Sequence, residues 1–538
     1  RAVLDICRRL AGLPLAPELA AARLRTLTPT ALFEKLERAL DVLTTGARDL
    51  PERQRTLRGT IDWSHSLLTE AEQELFRRLS VFAGGWPHDA IDPVCGDGEA
   101  DTTDAFESLV EKGLVHVTEG DGRFGMFETI REYADEKLEE SGEREAVRHR
   151  HARHFGAVAA AVDACIRTPA QVEAFRRGDA ESANIDAALE HSFEAGQRGE
   201  TEAVRNGLEI CGDLWMYWHV RGLHVRARDW SRRFLGLPAA GAFPHSIARA
   251  LASDSVAVLT LGDVAGCLED VERAEELVDA EVVPVGAVLG ISAGVAHLTA
   301  GELEQARERL VAAVRRGRSL DLPWELGIAL GFQGVAESAL GNADRATALY
   351  DGALAIQHAI GDHQGLGLTL SGQAALEAAA GRLERALTLY GEAFDAYHAV
   401  GDRPEEARIL DARAWTSLAD GSVAAARDDF VESLRAYEEV GSVRGIGLAL
   451  LGLAATEAAE GHPERAVCIA AAADAFSEQE GVANDYALNT SAPRYLEPAR
   501  SGLAPDRLGS LEAEGRSWSV REAVHFALAR EPTASMAS

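Results

Sequence analysis

The chain has 538 residues, with 54 basic against 86 acidic side chains and a formal net charge of −32. Its lysines are Lys35, Lys112 and Lys137, which precede Leu36, Gly113 and Leu138, so the sequence contains no phosphate-cradling loop ending in Lys-Ser or Lys-Thr. The length exceeds the roughly 250–300 residues at which a single core stops growing, and the acidic excess disfavours nonspecific binding to nucleic acid or anionic membrane.

Six cysteines (Cys7, Cys95, Cys165, Cys211, Cys267 and Cys468) are scattered without a CxxC pair. That spacing argues against a disulfide framework or a structural zinc site and fits a reducing cytoplasm. Residue 1 is Arg, and residues 1–10 read as the interior of an amphipathic helix, so the chain is expected to continue upstream.

Residues 1–51 form a nearly neutral helical segment, and in 1–50 there are 8 basic and 6 acidic residues. Within it, Gly12-Leu13-Pro14-Leu15 reads by its spacing as a helix-breaking turn. Residues 52–140 change character. Thr69-Glu70-Ala71-Glu72 is a capping box that starts a helix through Phe76 and Leu79, and a further helix covers 105–112. Strands at 114–117 and 124–127 flank Gly120-Asp121-Gly122, a hairpin turn, and a last helix starts near Thr129. Helices followed by a two-stranded wing predict a winged helix. It carries 9 basic and 21 acidic residues, a net of −12, which argues for a structural role rather than DNA reading.

Residues 141–200 read as a helical linker. Its His149, His151 and His154 alternate with Arg148, Arg150 and Arg153. On a helix His151 and His154 share a face, His149 does not, and no carboxylate or Cys completes a ligand set, so the cluster reads as a solvated basic face.

Residues 201–483 repeat. A Gly followed five residues later by Ala recurs at Gly301, Gly341, Gly381, Gly421 and Gly461, and a second series at Gly361, Gly401, Gly441 and Gly481 interleaves with the same 40-residue step. Two upstream units at Gly222 and Gly262 bring the number to seven, each reading as two helices. Small residues at Gly294, Gly334, Ala374, Ala414 and Ala454 mark close helix approaches, and Leu310, Tyr350, Tyr390 and Phe430 fill gaps between pairs. No single pair can bury its apolar face, so the pairs must stack into a tetratricopeptide-like solenoid with a concave groove. Trp215, Tyr217, Trp218 and Trp230 in the first unit read as core packing, with an aromatic ligand groove as the alternative. Gly290-Ile291-Ser292-Ala293-Gly294 matches a nucleophile-elbow string but falls mid-helix, where the required strand-to-helix turn is missing. The uncharged run 282–301 contains Pro284 and several glycines in register with the repeats, and it is rejected as a membrane span. Residues 484–538 complete the chain as a helical cap and tail. The fold class is therefore mainly α: a small winged helix with a β-hairpin, then an α-solenoid.

Several segments together carry a family resemblance. They are Cys7-Arg8-Arg9-Leu10-Ala11-Gly12-Leu13-Pro14-Leu15-Ala16, Thr60-Ile61-Asp62-Trp63-Ser64, Leu79-Ser80-Val81-Phe82-Ala83-Gly84-Gly85-Trp86 and Glu128-Thr129-Ile130-Arg131-Glu132-Tyr133-Ala134. The tail adds Ala513-Glu514-Gly515-Arg516 and Ser519-Val520-Arg521-Glu522. The chain resembles the C-terminal portion of a STAND-class signal-transduction ATPase, of the large actinobacterial-type transcriptional regulators that follow the ATPase with a winged helix and tetratricopeptide repeats. In that family the Pro of the Gly-Leu-Pro-Leu motif lies against the adenine, so the resemblance implies Pro14 as the nucleotide neighbour, with Gly12 and Leu13 shaping the turn. Two departures stand out. Pro17 replaces an aliphatic residue, and Met126-Phe127-Glu128 stands where relatives carry Met-His-Asp, whose His touches phosphate. A phenyl ring cannot donate that hydrogen bond.

The resemblance implies a regulatory module of a cytoplasmic transcription factor, and no enzyme in this chain. Binding and hydrolysis of ATP would belong to an upstream core, with no cofactor in this chain itself. A protein or small-molecule signal would occupy the solenoid groove, activation would bring self-association, DNA would be read by another domain, and no membrane is involved. The alternative is a standalone tetratricopeptide adaptor that binds a protein partner and never touches nucleotide.

Overall fold

The computed structural model describes residues 57–96, 102–118, 122–279, 283–479 and 491–529, together with Thr28. Among them the chain is mainly α, with 25 helices and one two-stranded antiparallel sheet. It divides into two compact units. The first comprises Arg1–Ala161, Arg177–Ile210 and Leu237–Ala239, and the second Val162–Arg176, Cys211–Gly236 and Ala240–Ser538.

The first unit opens with α1 (Leu57–Ser66) and α2 (Glu70–Arg78). The capping box forms: the Thr69 hydroxyl accepts from the Glu72 N–H, and the Glu72 carboxylate accepts from the Thr69 N–H. Lys112 adds an ion pair to Glu72 at 2.6 Å. After α3 (Ile91–Cys95) and α4 (Thr103–Glu111), β1 (His116–Val117) pairs with β2 (Phe124–Gly125), and α5 (Glu128–Ser141) follows. The strands are shorter than the apolar runs predict. Leu114 and Val115 instead send their N–H groups back to the Leu109 carbonyl to close α4, and Phe127 becomes the N-cap position of α5. Trp86 supplies a third rung that the sequence did not reveal: its N–H donates to Phe124 O at 2.9 Å and its carbonyl accepts from Phe124 N–H at 2.8 Å. Of the expected turn, Gly122 is left-handed at φ +63°, while Gly120 and Asp121 lie outside the described residues.

Three long helices contribute residues to both units: α6 (Arg144–Ile166), α7 (Gln171–Gln197) and α8 (Thr201–Asp213). Within the first unit, Asn184 of α7 accepts from the Ala83 N–H at 2.7 Å and donates to the Gly85 carbonyl at 2.8 Å. Arg123 pairs with Glu181, one contact measuring 2.9 Å. Phe82 stacks on Trp86 with centroids 5.0 Å apart, and Phe155 of α6 meets Phe82 edge-on. The apolar interior and these buried polar links fix the wing against α6 and α7.

In the second unit seven helix pairs follow one another. They are α9 (Trp215–Val220) with α10 (His224–Leu235), α11 (Pro244–Thr260) with α12 (Val264–Leu277), α13 (Val285–Thr299) with α14 (Leu303–Ser319), and α15 (Pro323–Ala339) with α16 (Ala343–Ile360). Then come α17 (His363–Ala379) with α18 (Leu383–Val400), α19 (Arg403–Ala419) with α20 (Val423–Val440), and α21 (Val443–Ala459) with α22 (Pro463–Gln479). Cap helices α23 (Ala492–Ser501), α24 (Pro505–Arg516) and α25 (Val520–Leu528) bury Leu496, Leu511 and Val524 at the end of the array.

The small-and-large alternation has a direct physical role. A Cβ added at Gly294 would sit 2.6 Å from the Leu310 side chain, and one at Gly334 would overlap the Tyr350 ring. Both contacts lie inside a helix pair, whereas Gly372 and Gly452 of following pairs receive Tyr350 and Phe430. The bulky residues thus fill space within pairs as well as between them, where the sequence reading placed them. Each such fully buried side chain contributes about 1.5–3 kcal/mol of burial free energy. The uncharged run is α13, whose Ser292 is buried mid-helix with no elbow around it, and among the described residues no helix is long and apolar enough to cross a membrane.

Candidate functional site

The second unit holds a cavity of about 440 Å³ where the end of α6 meets the first helix pairs. Its apolar wall comes from Val285 and Val288 of α13 with Leu322 and Pro323 at the start of α15. Trp215 opens α9 and Trp324 is the second residue of α15, and their rings meet edge-on with centroids 5.9 Å apart. Arg167, just past α6, is held by Asp163 at 2.6 Å and by Glu325 at 3.1 Å, with its guanidinium 5.3 Å from the Trp324 ring centroid. Arg249 of α11 pairs with Asp213 and reaches Asp163 at 3.7 Å. Burial alone would lower the Arg167 pKa, but Asp163 and Glu325 outweigh it and hold the group above its ordinary value. The guanidinium is therefore a permanent cation in the cavity wall.

Volume and lining match a small-ligand pocket: concave, largely apolar, with a few convergent polar groups. The lining contains no Ser, Thr, Cys or Lys, so it presents no side-chain nucleophile of those types to pair with His245. The groups it offers are two indoles, two guanidiniums, two carboxylates and the His245 imidazole.

Next to the cavity, the turn between α6 and α7 engages the starts of successive helices. Gln171, fully buried, donates to Asp362 at 2.8 Å and accepts from the Gln364 N–H at 3.2 Å. Gly361, left-handed at φ +67°, receives Pro169, and a Cβ there would lie 3.0 Å from the Pro169 Cα. Arg221 donates to the carbonyls of Val400 at 2.7 Å and Gly401 at 3.1 Å, with its guanidinium 5.1 Å from the Phe175 ring centroid. These contacts join residues that the repeat pattern alone does not bring together. The N-caps Asp362, Asp402 and Ser442 recur every 40 residues, each accepting from the N–H three residues on, a signal available in the sequence but not used.

The predicted aromatic knot separates. Tyr217 and Trp218 are buried core, Trp230 stacks on Phe234, and Trp215 lines the cavity. The histidine cluster also differs from its solvated reading. His151 is buried against Phe82 and Phe155, because the face it shares with Phe155 is the one α6 turns inward. His149 meets His191 of α7 instead of solvent alone. Phe127 stacks on His116 with centroids 4.2 Å apart. Gly12, Leu13 and Pro14 lie outside the described residues.

A family model described as a winged helix-turn-helix domain matches residues 68–139. The chain is 40% identical over 233 residues to an HTH-type transcriptional regulator of Mycobacterium tuberculosis, and equally to one of Mycobacterium bovis, covering 42% of this chain and 25% of each relative. A further Mycobacterium tuberculosis protein is 41% identical over 157 residues, 28% of this chain and 40% of that protein. The chain thus spans about a quarter of the length of the regulators it matches. Among solved structures, a STAND protein with a tetratricopeptide repeat sensor from Pyrococcus horikoshii aligns with a TM-score of 0.47 at 17% identity, over 96% of this chain and 74% of that one. The mycobacterial matches and the winged-helix model bear out the resemblance to transcriptional regulators read from the motifs.

Proposed function

We propose that this chain is the regulatory and sensor portion of an ATP-dependent transcriptional regulator of the STAND type. A small-molecule signal binds the cavity between Trp215, Trp324, Arg167 and Arg249. The observation that carries the reading is that this cavity is built partly by Asp163 at the end of α6, a helix whose earlier turns belong to the winged-helix unit. A ligand that prefers one position of Asp163 and Arg167 biases α6, and so shifts a population between two states of the regulator. In this reading Gly12, Leu13 and Pro14 contact the adenine of ATP or ADP, whose hydrolysis belongs to an upstream core, and the chain itself is not an enzyme. The regulator acts in the cytoplasm and self-associates in its ATP form.

DNA reading is assigned to another domain. The helix before the wing, α4, carries Asp104, Glu107 and Glu111 and no cation, so its charge opposes entry into a groove walled by phosphates.

The test is a thermal-shift screen of the chain against metabolites, followed by Trp215→Leu and Arg249→Gln variants. A compound that raises the native melting temperature and loses that effect in both variants supports the cavity as the sensor. Ligands that stabilise both variants as well as the native chain would place the sensor elsewhere, and steady ATP hydrolysis by the purified chain would overturn the non-enzymatic reading.

A further inference from the structure

The first unit brings together side chains that are far apart in sequence. Glu145 and His149 stand one helical turn apart on α6, and His191 of α7 faces them. His149 Nδ1 and His191 Nε2 are 3.1 Å apart, with the rings near-perpendicular at 72°. Glu145 Oε2 lies 3.9 Å from His191 Nε2, and the three ligand atoms all fall within 4.8 Å of one another. Zinc–imidazole bonds of about 2.0–2.1 Å at a tetrahedral angle place two ligand nitrogens about 3.3 Å apart, close to the spacing here.

The surroundings fit the same purpose. His149 Nε2 is 3.0 Å from Glu200 Oε2, so with Nδ1 facing inward its outer N–H donates to a carboxylate, the arrangement that orients a metal-bound imidazole. His191 is buried, while His149 and Glu145 stay accessible. Arg198 lies 3.1 Å from Glu145 and 3.2 Å from Glu200, balancing both carboxylates, so an ion at this site would compete with it for Glu145. The other cluster of this kind, Glu457, Glu460 and His462, offers a single imidazole.

We propose that Glu145, His149 and His191 bind one divalent transition-metal ion of the zinc class, tying α6 to α7 next to the winged helix. Imidazole donors select such an ion over magnesium or calcium, and three protein ligands leave a fourth position for water. The site is independent of the ligand cavity and does not require the sensor reading above.

The untagged full chain, freed of metal with a chelator, is titrated with Zn²⁺ by calorimetry and with Co²⁺ by visible absorption. Glu145 and His149 are substantially exposed, so Glu145→Gln and His149→Ala should leave the fold intact, which circular dichroism checks. One Zn²⁺ per chain is expected, with Co²⁺ bands that vanish in both variants. Glu200→Gln should keep the stoichiometry and weaken affinity about 10- to 100-fold. Zn²⁺ affinity unchanged in Glu145→Gln and His149→Ala, or no stoichiometric binding by the native chain, overturns the proposal.

Discussion

At the scale of single residues, the second unit keeps the buried Asp254 carboxyl beside that of the half-buried Asp270. Asp254 of α11 and Asp270 of α12 each leave an oxygen without a donor, and Arg232 reaches Asp254 at 3.0 Å. Burial and then the neighbouring Asp254 push the Asp270 carboxyl up to about 8, so the pair shares a proton in the folded chain. A carboxyl raised in the folded state contributes stability that is fully present below its unfolded pKa, about 4, and is lost as pH rises through the folded value. Urea unfolding between pH 5 and 9 should therefore show stability falling with pH. Asp270→Asn, which keeps a hydrogen-bonding group but no titration, should flatten that slope, and an unchanged slope would exclude the pair as its source. Such partners are hard to read in sequence. Gln171 and Asp362, or Arg221 and Val400, are separated by 191 and 179 residues, and nothing periodic links them. Trp215 stands out in the sequence by its aromatic neighbours, whereas Arg167, Arg249 and Trp324 are ordinary residues in their local context.

At the scale of elements, regularity made the fold legible. The capping box at Thr69, the seven helix pairs and the left-handed glycines every 40 residues all follow from local rules that agree with the packing. The third rung at Trp86 escaped because one residue carries no alternation. The small-and-large pairs lead to a second prediction. Gly334→Ala forces a methyl into the Tyr350 ring, which is also hemmed by Gly372, and should cost about 1–3 kcal/mol in urea unfolding. Combining it with Tyr350→Leu should cost less than the sum of the single changes, because the two sites share one space. Strict additivity would mean that the contact is relieved elsewhere.

At the scale of the whole molecule, a net charge of −32 and an acidic helix before the wing set the behaviour toward nucleic acid. At physiological salt the chain should not retard duplex DNA in a mobility-shift assay even at about 10 µM, a concentration at which a nonspecific binder with Kd near 10⁻⁶ M would. Retardation that weakens steeply with salt would instead assign phosphate contacts to this chain and reverse the reading of the winged helix.

The link between Gln171 and Asp362 also sets a timetable for synthesis. The turn at residues 167–171 leaves the ribosome well before the helix starts that it must meet, across a separation of 191 residues. At about 5–20 residues per second, the buried amide waits roughly 10–40 s for its partner. Until then the amide has water and the nearby Ile166 carbonyl, which it also contacts at 3.0 Å, as its partners.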